Sequence, residues 1–341
     1  MNNKILSICI PSYNMERYLN RCVDSLLALE VLDDIEIIIV NDGSKDATLS
    51  IANQYKAQYT NSVFVIDKPN GHYGSTVNSA LKVATGKYFR ILDADDWFDT
   101  EAFVIFVNKL KTIDVDCVYT NFTEYNELKN KTKHIINQSL LYDTIIDLNS
   151  YVLPNFWYAM HSLTFRLSLF KEISYEQTEG ICYTDTEYIY YPFTQSKSMY
   201  AINISLYQYY IGRDDQSVSF VSSIKNITDR FVITRRILED RTYKTGNANS
   251  TYIREMILES LISNALLIYL IYSCQYDKET DCELITIMNN IKTDNYKLYK
   301  KLLDLRCCKV VPFVKIWLSF RRLSFPILYP LHMYYNIRLK A

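Results

Sequence analysis

At 341 residues the chain is long enough for one large domain or for a domain with an appendage. Apolar residues make up 49% of it, which excludes general disorder, and a formal net charge of -1 gives no electrostatic reason to expect a nucleic-acid partner. Only 7 glycines and 7 prolines exclude a fibrous or loop-rich chain, while 30 tyrosines supply rings suited to a core, a membrane interface or a sugar surface.

Taken in chain order, the N-terminus runs straight into a short apolar stretch that ends at Pro11. The stretch is too short for a signal-peptide core, so a cytoplasmic location is expected. Strands are predicted at 5–10, 35–40, 63–66, 88–92 and 117–119, each short and rich in Ile, Val, Phe or Tyr, as strands covered on both faces are. Helices are predicted between them at 15–29, 47–59, 75–84 and 100–110, with Ser44 or Asp46 able to cap the second. This alternation predicts an α/β fold with a doubly wound, mostly parallel sheet. Residues 116–222 are less regular and more aromatic, and from 224 onward the pattern turns helical, at 227–240, 251–274 and 282–305. The apolar run at 256–274 carries Glu259, Ser260, Ser263 and Asn264 and reads as a buried helix rather than a membrane span.

The eight cysteines form no Cys-x-x-Cys and no Cys/His cluster at zinc spacing, and several lie in apolar runs such as Ser7-Ile8-Cys9-Ile10. They read as small core residues of a reducing compartment. After Asp304 there is no acidic residue, while basic residues alternate with aromatic ones to the end of the chain. Residues 305–341 therefore suit contact with an anionic membrane surface, or packing as a basic tail on the chain's own domain.

In an open parallel sheet, ligands bind beyond the carboxyl ends of the strands. Polar or turn segments follow four of the predicted strands: Pro11-Ser12-Tyr13-Asn14, Asn41-Asp42-Gly43-Ser44, Asp67-Lys68-Pro69-Asn70-Gly71 and Asp93-Ala94-Asp95-Asp96. Each alone is an ordinary turn or helix cap, but all four fall on one edge. Carboxylates at a strand end hold hard cations such as Mg²⁺ or Mn²⁺. Asp42 has the chemistry to accept hydrogen bonds from a base or ribose, and Asn70-Gly71-His72-Tyr73-Gly74 to admit backbone close to a nucleotide. Neither Gly-x-Gly-x-x-Gly nor a phosphate loop ending in Gly-Lys-Ser/Thr occurs, which argues against nicotinamide dehydrogenases and ordinary ATPases.

Five pieces then resemble, in order and spacing, the family 2 glycosyltransferases: Ile10-Pro11-Ser12-Tyr13-Asn14, Val40-Asn41-Asp42-Gly43-Ser44-x-Asp46, Asn70-Gly71-x-x-Gly74-x-x-x-Asn78, Ala84-Thr85-Gly86-Lys87-Tyr88 and Leu92-Asp93-Ala94-Asp95-Asp96. The resemblance implies an inverting enzyme with a GT-A nucleotide-diphospho-sugar fold at 1–222, its nucleotide-sugar half at about 1–115 and its acceptor half at about 116–222; the helical pattern beyond it sets a C-terminal region at 223–341. It implies a UDP-sugar donor held by Pro11, Ser12, Tyr13, Asp42, Gly71, Gly74 and Asp93, and a Mn²⁺ or Mg²⁺ ion on Asp95 and Asp93. In Cys182-Tyr183-Thr184-Asp185-Thr186-Glu187-Tyr188 it places the base for the acceptor hydroxyl on Asp185, with Glu187 as runner-up; Thr184 departs from the acidic residue usual there. The segment from Tyr209 to Ser217 resembles a loop that closes over the diphosphate, with Arg213 on the leaving phosphates. His161 is a weaker acceptor-side candidate, and nothing fixes a role for His72. The acceptor implied is a glycan or lipid-linked saccharide, in surface polysaccharide synthesis at the inner face of the cell membrane. Competing readings are a nucleotidyltransferase, which lacks its glycine-lysine-rich loop here, and a non-catalytic binding module on the same fold.

Overall fold

The computed structural model describes residues 4–127, 129, 131–153, 159–211 and 220–340. The chain opens with strict alternation: β1 (Leu6–Ser12), α1 (Leu19–Asp24), β2 (Ile35–Asp42), α2 (Thr48–Gln58), β3 (Val63–Lys68), α3 (His72–Val83) and β4 (Tyr88–Ile91). Then come β5 (Trp97–Phe98), α4 (Thr100–Thr112), β6 (Cys117–Asn126), β7 (Lys131–Ile135), β8 (Ile145–Asp147), β9 (Leu163–Arg166), α5 (Leu167–Glu172), α6 (Asp185–Gln195) and β10 (Ser198–Ile211).

These strands form one mostly parallel sheet in the order β3-β2-β1-β4-β9-β6-β10-β5, with β7 on β6 and β8 on β10. The α/β expectation is met. Every residue of β1, β2 and β4 is buried, as their continuous apolar runs require. Helix α4 buries Phe103, Phe106, Val107 and Leu110, a stripe at helical spacing, into the same core. Short β9 is antiparallel to both β4 and β6, and it returns β6 to the parallel direction.

Two helices differ from the sequence expectation. Only Leu19–Asp24 of 15–29 is helical. Upstream, the Met15 and Glu16 amides donate instead to Thr48 Oγ1 (2.7 Å) and Asp46 Oδ2 (3.0 Å), and downstream the Ser25 hydroxyl takes the Cys22 carbonyl at 2.6 Å. The stretch 282–305 is two helices, α10 (Lys278–Asp294) and α11 (Tyr296–Leu303), once α7 (Phe220–Lys225), α8 (Ile227–Glu239) and α9 (Ser250–Leu267) have been passed. The break is Asn295, whose amide closes α10 on Ile291 O at 2.7 Å and whose side chain caps α11 at Leu298 N at 2.9 Å. Helices α12 (Phe313–Phe320) and α13 (Ser324–Lys340) follow.

The chain divides into two compact units, 1–213 with 242–250, and 214–241 with 251–341. In the second, α9 runs on into a π-helical turn, Ile268–Ser273. Together they are long and apolar enough to cross a membrane, yet 56% of the apolar window is buried, including Ile257, Leu261 and Leu266. That is the pattern of a core helix.

Candidate active site

The loops after β1 and β2 are tied to each other through side chains and amides. Asn14 N donates to Ser44 Oγ at 3.0 Å, Lys45 N to Asn14 Oδ1 at 2.8 Å, and Ala47 N to Glu16 Oε2 at 2.8 Å. Asp46 accepts from Thr48 N at 3.0 Å, which opens α2. The turn needs left-handed backbone at Asn14 (φ 55°) and Gly43 (φ 72°), the conformation that Asn and Gly tolerate best. Pro11 and Ser12 are buried at the end of β1, and Tyr13 next to them is 46% exposed at the sheet edge.

Asp42 ends β2 almost fully buried. Its Oδ1 receives Lys68 Nζ at 2.7 Å and the Gly71 amide at 2.9 Å. The carboxylate therefore fastens the third edge loop to the second. The motif from Ala84 to Tyr88 is likewise a packing device. Glu36 collects Thr85 N, Thr85 Oγ1 and Gly86 N, and a Cβ at Gly86 would stand 2.6 Å from Ser7 N.

Gly71 and Gly74, expected near the nucleotide, have a partner within the chain. A Cβ at Gly74 would lie 2.0 Å from the Thr178 carbonyl oxygen. The Gly180 amide donates to Gly71 O at 3.0 Å. Asn78 donates to Gln177 O and Glu179 Oε1, both at 2.9 Å, and accepts Gln177 N at 2.9 Å. The glycine-asparagine motif on α3 thus grips residues 177–180, the segment that leads into Asp185.

The carboxylates after β4 have distinct surroundings. Asp93 is part-exposed; its Oδ1 accepts the Tyr73 hydroxyl at 2.8 Å and its amide donates to Tyr207 Oη at 3.1 Å. Asp95 is also part-exposed, and its carbonyl receives Arg21 Nη2 at 2.7 Å while that guanidinium lies 3.9 Å from the Trp97 ring centre. Asp96 is buried and fully engaged, accepting Tyr207 Oη at 2.6 Å and Tyr210 N at 2.7 Å. Burial, followed by the charges of Asp95 and Asp93, raises its proton affinity well above the usual carboxylate range.

His161 joins this group. Its ring centre is 4.6 Å from that of Tyr207 and 4.3 Å from that of Tyr209, with which it stacks. Burial first, then the Arg90 charge, pushes its pKa down to about 3, so the imidazole is neutral. Donor atoms of Asp93, Asp96 and His161 all lie within 4.8 Å of one another. Beneath them the buried Arg90 holds Thr164 Oγ1 at 2.8 Å and also bonds the His161 carbonyl.

Asp185 is the first residue of α6, after Tyr183 at φ 64°. Its charge bears on the hydroxyls of Tyr73 and Tyr209, as does that of Asp93. Glu187 is fully buried and accepts Thr178 N at 2.7 Å and Thr178 Oγ1 at 2.8 Å, so it serves the 177–180 segment instead. Thr184 accepts Gln177 Nε2 at 2.9 Å. Arg213 lies outside the described residues; of the segment expected to form a loop, Tyr209, Tyr210 and Ile211 are the last residues of β10.

Sequence reading missed Tyr73 and Tyr207. Tyr73 stood inside a motif read for its glycines, and Tyr207 in a strand with no polar edge signal.

Residues 7–173 match the family model for glycosyl transferase family 2. That span is a domain of the family. The matched span holds every edge loop described above and stops short of Asp185. Among curated relatives, the chondroitin synthase of Pasteurella multocida is 40% identical over 125 residues, 36% of this chain and 12% of that one. The poly(ribitol-phosphate) beta-glucosyltransferase of Bacillus spizizenii is 42% identical over 106 residues, 30% of this chain and 17% of that one. The chain thus spans far less than two thirds of these relatives' length. Among solved structures, S. aureus TarS 1–349 superposes with a TM-score of 0.64 at 16% identity, covering 97% of this chain and 91% of that one. The same protein has been solved in complex with UDP-GlcNAc. At that identity the likeness establishes the GT-A fold, and it extends over the helical C-terminal part.

Proposed function

We propose that the chain transfers a sugar, with inversion, from a UDP-sugar to a hydroxyl of a glycan or lipid-linked saccharide, in surface polysaccharide synthesis on the cytoplasmic face of the cell membrane. One observation carries this reading. The Tyr73 hydroxyl donates to Asp93 Oδ1 at 2.8 Å, and α3, which carries Tyr73, also holds Gln177 of the segment that leads into Asp185 at the start of α6; burial and the charges of both carboxylates raise the proton affinity of Tyr73 and Tyr209. The polysaccharide enzymes among the relatives and the UDP-GlcNAc complex of the structural neighbour support the substrate class.

The donor's base and ribose would lie against Tyr13 and the tied loops that end in Asp42. The donor set near Asp93 suits a hard divalent cation: carboxylates, with a neutral imidazole within reach. Asp93 and Asp95 are our proposed carboxylate ligands for Mn²⁺ or Mg²⁺. Asp96 already gives both oxygens to Tyr207 and Tyr210 and acts as the brace beneath them. When bound, such an ion would neutralise the diphosphate as it leaves. On the opposite side Asp185 takes the proton of the acceptor hydroxyl. The acceptor oxygen bonds to the anomeric carbon, and the bond to the diphosphate oxygen breaks with its electrons going to UDP.

The test is UDP release across common UDP-sugars, with glycan and lipid extracts as acceptors, for the parent chain and Asp185→Asn. The variant is expected to keep its thermal shift with UDP-sugar while kcat falls by about 100-fold or more. Undiminished turnover would remove Asp185 as the base. Triphosphate consumption without sugar transfer would favour a nucleotidyltransferase.

A further inference from the structure

The last helix is two-sided in an unusual way. One side of α13 packs inward: Leu328 is fully buried, and Phe325 is buried with its ring 5.1 Å from that of Tyr269. The other side faces solvent and is also apolar. Leu323 is 69% exposed, Ile327 50% and Met333 45%, with Pro326, Pro330 and Tyr334 exposed along the same stripe. Their spacing, three and four residues apart, places them on one face of a helix. Phe320, 52% exposed, ends α12 just upstream. A continuous exposed apolar face on a folded unit marks an interaction surface.

Charge narrows the partner. No acidic residue follows Asp304. Lys315 and Arg321 are neutralised within the unit by Asp304 and Asp281. Arg322 is exposed at the start of the stripe. At the other end, a tight turn closed by Cys307 N to Val311 O at 2.9 Å carries the exposed Arg306 and Lys309. Its Cys308 Sγ lies 3.7 Å from Tyr335 Oη, so these cations border the far half of α13. An apolar stripe with cations at both ends suits a surface of apolar tails under anionic headgroups. A second copy placed face to face would bring like charges together.

We propose that the outer face of α13 lies in the interface of an anionic membrane, parallel to its plane. The proposal is independent of the chemistry assigned to Asp185, because membrane binding and turnover are separate readouts.

The experiment is flotation of the purified chain with phosphatidylcholine vesicles and with mixed phosphatidylcholine–phosphatidylglycerol vesicles, at low and high salt. The chain should float with the anionic vesicles and be weakened by salt and by the loss of phosphatidylglycerol. Leu323→Asp/Ile327→Asp should weaken partitioning at least about tenfold, the loss expected for two exposed apolar side chains that enter lipid. Arg322→Glu/Lys309→Glu should remove the preference for anionic lipid. Because all four side chains are exposed, circular dichroism melts should match the parent. No flotation of the parent, or unchanged flotation of the stripe variant, would overturn the proposal. So would a parent dimer in light scattering that the stripe variant abolishes, since the face would then belong to a second copy.

Discussion

Asp95 and Asp96 are neighbours in sequence with opposite tasks. Asp96 satisfies a buried phenol and a buried amide, so Asp96→Ala is expected to lower stability by about 2–3 kcal/mol with no ligand present, read from a chemical melt. Asp95→Ala should leave that melt close to the parent and instead abolish the rise in melting temperature given by UDP with Mn²⁺. A metal-dependent shift that survives in Asp95→Ala would move the cation to Asp93 and His161. His161 also sets an acid limb. Its pKa falls from 6.5 to about 3 on folding, through burial and then Arg90. The unfolded chain therefore binds a proton that the folded chain refuses. Stability from this group is complete above about 6.5 and is lost as pH falls toward about 3, by up to about 5 kcal/mol. In chelator, His161→Phe keeps an aromatic ring but cannot titrate, so its stability should fall less steeply over that window.

At the scale of elements, the grip of α3 on residues 177–180 yields a paired prediction. Gly74→Ala forces a methyl group into the Thr178 carbonyl, so backbone must move, whereas a Cβ at Gly180 meets nothing within 4 Å and costs only its φ of 79°. Gly180→Ala should cost about 1 kcal/mol, and Gly74→Ala clearly more, with kcat reduced because Asp185 is carried by the displaced segment. Thermal melts and turnover of the two variants check this. The parallel strands and their edge loops were legible in the sequence because buried strands are continuous apolar runs and their turns use Gly, Asn, Asp and Pro. The truncation of α1 was not, since it depends on Thr48 and Asp46, more than 25 residues away, taking the amides that would open the helix. Nor was the partner of Gly74 and Asn78. Local sequence says that a glycine is needed, but only the fold says what approaches it. Asn295 could have been read as a cap, but the apolar spacing resumes beyond it at Leu298 and Leu302, which reads as one helix.

For the molecule as a whole, the two units interleave along the chain, and the sequence boundary at 222 misses a return. Residues 242–250 belong with the first unit. There Asn247 Nδ2 donates to Phe193 O at 2.6 Å and Ser196 O at 2.8 Å, Asn249 Oδ1 accepts Leu153 N at 2.7 Å, and Ser250 Oγ reaches Thr194 O at 2.9 Å. A chain cut at 222 leaves these buried carbonyls and amides without partners, at about 1 kcal/mol or more each. It is expected to melt lower than one cut at 250, or to fail to fold, as differential scanning fluorimetry would report. No apolar pattern marks so short a polar return.

The grip of α3 also sets where this scaffold can be recombined. A seam near residue 115 looks natural, because it separates the edge loops that follow β1 to β4 from the segment that carries Asp185. Yet Gly71, Gly74 and Asn78 lie on one side of it, and their partners in 177–180 on the other. A second half imported from another family member would arrive without the α3 surface that holds the segment leading into Asp185. Chimeras made at that seam should fold and bind nucleotide yet turn over poorly until the matching face of α3 is transplanted with them.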